Sequence, residues 1–212
     1  MKSIMIADDH MIVREGIKKL LENNEDFQVV EEVSDGVECI RKMETFMPDI
    51  LILDIKMPEI DGMRVLRILK EQKSTIKVFM MTAHSEIDYL VEANDLGVDA
   101  YALKNISYDE FISALYSIVE NKTYIQTSLI PKLNNKLLMR DVDKDKIESL
   151  TRREMDMIIK IASGMSNKEI ANTLNITERT VKNHISSLFK KIGVSDRTQA
   201  AVFAIKNNLI IL

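Results

Sequence analysis

Cysteine is nearly absent: Cys39 is the single one among 212 residues. One thiol excludes an intramolecular disulfide framework and a cysteine-rich zinc site. Long hydrophobic runs are missing as well. No stretch approaches the roughly 18 apolar residues that cross a bilayer. The N-terminal Met1-Lys2-Ser3-Ile4-Met5-Ile6-Ala7 meets Asp8-Asp9 too soon for a signal peptide. The expected compartment is the cytoplasm. Glycine (6) and proline (3) are sparse, and the chain shows neither an internal repeat nor a low-complexity segment. With 46% hydrophobic and 29% charged residues, the balance is that of a soluble globular chain with room for one large domain or two small ones.

The charge is unevenly distributed. Residues 1–125 hold 14 Lys/Arg against 24 Asp/Glu, a net of −10, and residues 126–212 hold 15 against 9, a net of +6. An acidic half joined to a basic half points the second half toward an anion such as nucleic acid. The first half alternates short β-like runs with helical patterns. Ser3–Ala7, Phe27–Val30, Ile50–Leu53, Val78–Met81 and Ala100–Leu103 are five strand candidates. Apolar residues at helical spacing lie between them, for example Ile12, Ile17, Leu20 and Leu21. The pattern predicts an α/β doubly wound, five-stranded parallel sheet covered by helices on both faces. A fifth helix is expected over Tyr108–Val119. Residues 122–147, with Pro131, Asn134-Asn135 and alternating charges, read as a linker holding a short helix around Ile130–Met139.

Ligands of a parallel sheet bind at the carboxyl ends of its strands. Asp8-Asp9, Asp54, Thr82 and Lys104 all fall there, each directly after an apolar run. Gathered carboxylates repel one another without a cation, and hard oxygen donors with room for water suit Mg²⁺. A lysine and a hydroxyl nearby suit phosphoryl oxygens. On these residues, together with Asp54-Ile55-Lys56-Met57-Pro58 and Asp61-Gly62, residues 1–121 resemble the receiver domain of the response regulators. That resemblance implies Asp54 as phosphoacceptor, and Mg²⁺ held by Asp8, Asp9, Asp54 and the backbone carbonyl of Lys56. It also implies that Thr82 and Lys104 contact the phosphoryl group, while the rotamer of Tyr101 follows Thr82. The protein would then be no enzyme in its own right, although a receiver catalyses its own phosphoryl transfer and dephosphorylation.

Helical signal fills residues 148–212. Thr151 with Glu154 and Ser166 with Glu169 form capping boxes. Gly164 suits a left-handed helix end. Asn175-Ile176 marks a tight turn before a helix over Glu178–Lys191. That helix is expected to expose Arg179, Thr180, Lys182, Asn183, Ser186 and Lys190 and to bury Val181, Ile185, Leu188 and Ile192. Cations mixed with amide and hydroxyl groups serve phosphates and base edges alike. Leu150-Thr151-x-Arg153-Glu154, Gly164-x-Ser166-Asn167-Lys168-Glu169-Ile170-Ala171, Thr180-Val181-Lys182-x-His184 and Arg197-Thr198-Gln199-Ala200 resemble the LuxR/NarL (NarL/FixJ) helix-turn-helix family. The resemblance implies a two-component transcription regulator, phosphorylated by a cognate sensor histidine kinase and bound to double-stranded promoter DNA as a homodimer. Lys182 is then a base contact, and a final helix near Thr198–Asn207 dimerises through Ala201, Val202 and Ile205. The alternative is a phosphorylation-independent DNA-binding regulator whose receiver serves only dimerisation. His10, His84 and His184 lie in three separate segments and are not read as a metal triad. His10 borders the acidic pocket and His84 follows Thr82 by two, where either could tune phosphoryl lifetime. Cys39 reads as an inert, semi-buried thiol.

Overall fold

Runs rich in apolar residues form β1 (Lys2–Ala7), β2 (Phe27–Val33), β3 (Ile50–Asp54), β4 (Lys77–Thr82) and β5 (Ala100–Leu103). Every residue of β3 is buried, as a strand covered on both faces requires. Between the strands run α1 (Met11–Leu21), α2 (Gly36–Phe46), α3 (Gly62–Glu71) and α4 (Ile87–Asp95), and α5 (Tyr108–Val119) follows β5. Asp35, Asp61 and Ser107 cap α2, α3 and α5 by accepting from backbone N–H groups in the first turn. The computed structural model describes residues 1–83 and 86–210, so the reading of His84 lies outside the described residues.

The sheet has six strands, one more than the sequence pattern predicts. Tyr124–Ile125 forms β6, parallel to β5, and the order is β2-β1-β3-β4-β5-β6 with every pair parallel. Two residues are too few to display a period-2 pattern, so β6 is invisible to periodicity. The segment 122–147 also holds more regular structure than the short helix expected around Ile130–Met139. A 3₁₀ turn at Thr127–Leu129 leads into α6 (Ile130–Glu148), a helix of 19 residues. Pro131 falls in its first turn, where an N–H is not needed. Asp141, Lys144 and Asp145 lie on its solvated surface, whereas Leu133 and Asp143 are buried. A helix with so few buried positions carries little apolar periodicity, which explains why its length escapes the sequence reading.

The chain divides into two compact units, Met1–Lys136 and Leu137–Leu212. In the first, Ile4, Ile6, Ile50, Ile52, Phe79 and Phe111 lie in one core, with Phe79 and Phe111 stacked at 5.6 Å. Cys39 is fully buried, and burial pushes its thiol up to about 12. In the second unit, α7 (Arg152–Ala162), α8 (Asn167–Leu174), α9 (Glu178–Ile192) and α10 (Arg197–Lys206) follow the end of α6. Met157, Ile158 and Ile161 of α7, Ile170 of α8, Leu188 of α9 and Phe203 of α10 meet in its core. Both capping boxes form as the sequence indicates. Asn175 and Gly193 take left-handed conformations after α8 and α9 (φ 55° and 74°), which the amide side chain and the missing Cβ make accessible.

Candidate acidic pocket and nucleic-acid interface

β1 and β3 are neighbours in the sheet while β2 lies on the far side of β1, so the strand order reverses there. Such a switch point opens a crevice at the carboxyl ends of the strands. Asp8 and Asp9 follow β1, and Asp54 is the last residue of β3. Asp8 and Asp54 are buried, whereas Asp9 is exposed. Lys104, one residue past β5, reaches both buried carboxylates: its Nζ stands 2.8 Å from Asp54 Oδ2 and 2.8 Å from Asp8 Oδ2. Burial drives the Asp54 carboxyl above its ordinary range, against the hydrogen bond from Lys104. Burial also pulls Lys104 down, but the bonds to Asp54 and Asp8 outweigh it and leave the ammonium raised.

His10, which the sequence places at the border of the acidic pocket, joins this cluster. Its Nδ1 lies 2.6 Å from Asp9 Oδ1 and 3.2 Å from Asp8 Oδ1, and its N–H donates to Asp8 Oδ1 at 2.9 Å. One donor atom each from Asp8, Asp9, His10 and Asp54 falls within 4.8 Å of the others. The only sequence signal for His10 is adjacency to Asp9, and a turn at the start of α1 had to fold it back. Arg14 supports the same corner by donating to the Asp8 carbonyl at 2.7 Å. Thr82, the last residue of β4, and Tyr101, the second residue of β5, are both buried. The Tyr101 hydroxyl has no hydrogen-bond partner among the described residues, and burial raises its phenol well above the usual range. Lys56 is exposed, and its ammonium lies 3.4 Å from Glu86.

The loop after β3 is closed by two glycines. A Cβ on Gly62 would stand 1.9 Å from the Asp54 carbonyl oxygen, and one on Gly36 would stand 2.0 Å from the Ile60 carbonyl oxygen. Gly62 also donates its N–H to Ile55 at 2.8 Å. Hydrogen alone fits at both positions, and the backbone of Asp54 is held accordingly.

In the second unit, α9 shows two faces. Val181, Leu188 and Ile192 are buried and Ile185 is half-buried against the same core. Arg179, Lys182, Asn183, Ser186 and Lys190 are exposed, and their spacing places them along one side of the helix. Thr180 departs from the expected exposed set. It is half-buried and its hydroxyl lies 2.8 Å from that of Thr177, because the first turn of α9 folds back onto its own cap. Lys191 is also taken: it donates to Glu154 Oε2 at 2.7 Å and to the Ser149 carbonyl at 3.2 Å. Glu154 is buried and further accepts from Ser187 Oγ at 3.0 Å and from the Thr151 N–H at 2.8 Å. Burial alone would raise this carboxyl, but the bonds from Lys191, Thr151 and Ser187 bring it down to about 2. The α7–α9 crossing is therefore pinned by an ion pair that a capping-box motif does not reveal. On α10, Val202 and Ile205 are exposed and Ala201 is half-buried.

An α/β unit with an acidic strand-end pocket, followed by a helix-turn-helix unit with a polar, cationic second helix, defines a two-part regulator of DNA. Comparison with known proteins agrees. Residues 4–116 match the response regulator receiver domain, and residues 148–204 match the luxR family of bacterial regulatory proteins. The transcriptional regulatory protein YhcZ of Bacillus subtilis, itself uncharacterized, is 38% identical over 207 residues, which cover 97% of this chain and 96% of that protein. The response regulator protein VraR of Staphylococcus aureus (strain NCTC 8325) is 36% identical over 207 residues, 98% of each chain. Among solved structures, the response regulator RcsB of Salmonella typhimurium superposes with a TM-score of 0.71 at 25% identity, covering 97% of this chain and all of that one. An RcsB–DNA complex superposes at 0.61 with 25% identity over 98% of both chains. The chain belongs to the two-component response regulators that join a receiver domain to a LuxR-type DNA-binding domain. Among the described residues no helix is long and apolar enough to cross a membrane.

Proposed function

We propose that Asp54 accepts a phosphoryl group from a cognate sensor histidine kinase, and that this modification controls promoter binding by a dimer. The observation that carries the reading is the Lys104 ammonium, 2.8 Å from both Asp54 and Asp8 in a buried pocket. A carboxylate attacks phosphorus only when ionised, and burial works against ionisation here. Lys104, 2.8 Å away, opposes that effect and favours the ionised form. An Asp54 oxygen forms the new bond to phosphorus while the bond from phosphorus to the donor's imidazole nitrogen breaks. Thr82 then donates to a phosphoryl oxygen, Lys104 pairs with another, and Tyr101 follows Thr82. The donor set fits a hard divalent cation, since three mutually repelling carboxylates meet within 4.8 Å. Asp8, Asp9, Asp54 and the Lys56 carbonyl would hold Mg²⁺, which supplies neutralisation of the charge on the transferring group.

Arg179, Lys182, Asn183, Ser186 and Lys190 supply the DNA-facing surface, and Val202 and Ile205 supply an apolar patch for pairing two copies. RcsB has been solved as dimers bound to DNA, which supports both assignments. Two copies related by a two-fold axis read two half-sites. The deciding experiment is intact-mass spectrometry of the full chain with acetyl phosphate and Mg²⁺. Wild type is expected to gain a phosphoryl mass that Asp54→Ala does not. A wild-type chain that stays unmodified overturns the assignment.

A further inference from the structure

β5 carries Tyr101, and Lys104 follows its end directly. The outer edge of β5 is covered by β6 only opposite Ala100 and Tyr101. Beyond Ile125 the chain leaves the sheet for the 3₁₀ turn at Thr127–Leu129, so no strand backbone remains to meet the Leu103 N–H. Gln126 fills that place with its side chain: Oε1 accepts from the Leu103 N–H at 2.9 Å. Its own N–H donates to the Tyr101 carbonyl at 3.0 Å, and its carbonyl accepts from the Leu129 N–H at 2.8 Å. The residue is buried, so these bonds are shielded from water. One side chain thus joins the strand end next to Lys104 to the turn from which α6 starts.

We propose that Gln126 is a positioning residue that couples the Lys104 end of β5 to the start of α6; this rests on the reading that Asp54 is phosphorylated. Lys104 Nζ now sits on the Asp54 oxygen Oδ2. A phosphoryl group on that carboxylate extends the acceptor oxygens outward, and the ammonium has to follow them. The Lys104 N–H is fixed to the Thr82 carbonyl at 2.8 Å, so the shift passes into the backbone on either side of it. Leu103 precedes Lys104 directly, and its N–H is the one that Gln126 holds. With the acceptor in place, the strand end and the turn before α6 move as one. Without it, water satisfies Leu103 and the displacement ends at the sheet edge.

The test uses the full chain and a DNA duplex selected from a random pool by the phosphorylated wild type. Gln126→Met keeps length and bulk but loses the strong acceptor, Gln126→Ser is too short to reach Leu103, and Gln126→Glu keeps an acceptor oxygen. Phosphoryl mass on Asp54 and duplex affinity at fixed salt are measured with and without acetyl phosphate. All three variants are expected to be phosphorylated to the wild-type extent. The wild-type gain in affinity on phosphorylation should fall by about fivefold in Gln126→Met and Gln126→Ser, the worth of one buried hydrogen bond, and return in Gln126→Glu. A Met or Ser variant that keeps the full gain overturns this coupling alone. So does a Glu variant that fails to restore it, or a variant that cannot be phosphorylated. A wild-type chain with no phosphoryl mass, or no gain, overturns the phosphorylation reading itself and the coupling with it.

Discussion

At the scale of single residues, two buried acids show how position sets charge. Asp54 and Glu154 each meet a lysine, at 2.8 Å and 2.7 Å. Burial wins at Asp54, whose carboxyl is raised, while four donated bonds win at Glu154, whose carboxyl falls to about 2. A depressed folded-state pKa means that the ionised form favours folding. The contribution of Glu154 is therefore complete above the ordinary value of 4.5 and disappears as pH falls toward 2. Glu154→Gln removes the charge that answers Lys191. It should destabilise the DNA-binding unit at neutral pH by about 1–3 kcal/mol. The gap between wild type and Glu154→Gln should close as pH drops from 4.5 toward 2, which thermal melts of the full chain at several pH values would record. A gap independent of pH would mean that Glu154 acts through shape and not through charge.

At the scale of the element, α9 has its cations sorted by the helices around it. Lys182 is exposed, whereas Lys191 is committed to Glu154 and to the Ser149 carbonyl. Composition counts the two as equal, and packing separates them. Lys182→Ala should weaken DNA binding by about 1–3 kcal/mol if the ammonium meets a base edge. Lys191→Ala should leave the salt dependence of binding unchanged, because no phosphate counterion is displaced by an ammonium already neutralised. Removing a lysine that does pair with a phosphate should lower the log–log salt slope by about one. Gel-shift titrations at several salt concentrations separate the two, and a shallower slope for Lys191→Ala would return it to the DNA-facing set.

At the scale of the whole molecule, the two halves carry opposite net charges, −10 and +6, and the proposed control of promoter binding predicts that the acidic half competes with DNA for the basic one. The second unit has a core of its own and keeps the end of α6 through Lys206 and Asp143, paired at 2.7 Å. A fragment spanning 137–212 is therefore expected to fold and to bind DNA without phosphorylation. The unphosphorylated full chain should bind at least about tenfold more weakly than its phosphorylated form, a coupling in the ordinary range. Affinities of the fragment and of both full-length forms, measured at one salt concentration, check this. Equal affinity of the two full-length forms would mean that the receiver does not gate binding and serves only to pair the chains.

Much of this protein was legible in its sequence because the information is local. Asp8, Asp54, Thr82 and Lys104 each end an apolar run, and strand ends in a parallel sheet share one edge whatever the details of packing. Thr151 with Glu154 and Ser166 with Glu169 announce their helices through spacing alone, and both boxes are formed. Tertiary structure decided the rest. β6 exists only because β5 offers an open edge to pair with, and α6 outlasts its weak pattern because Leu133 and Asp143 find burial along it. His10 is gathered into one cluster with Asp54 of a separate strand, Lys191 is drawn from the basic face by Glu154, and Gln126 replaces a missing strand with its side chain. Each of these pairings joins residues whose partner is set by three-dimensional proximity, which no period or motif encodes.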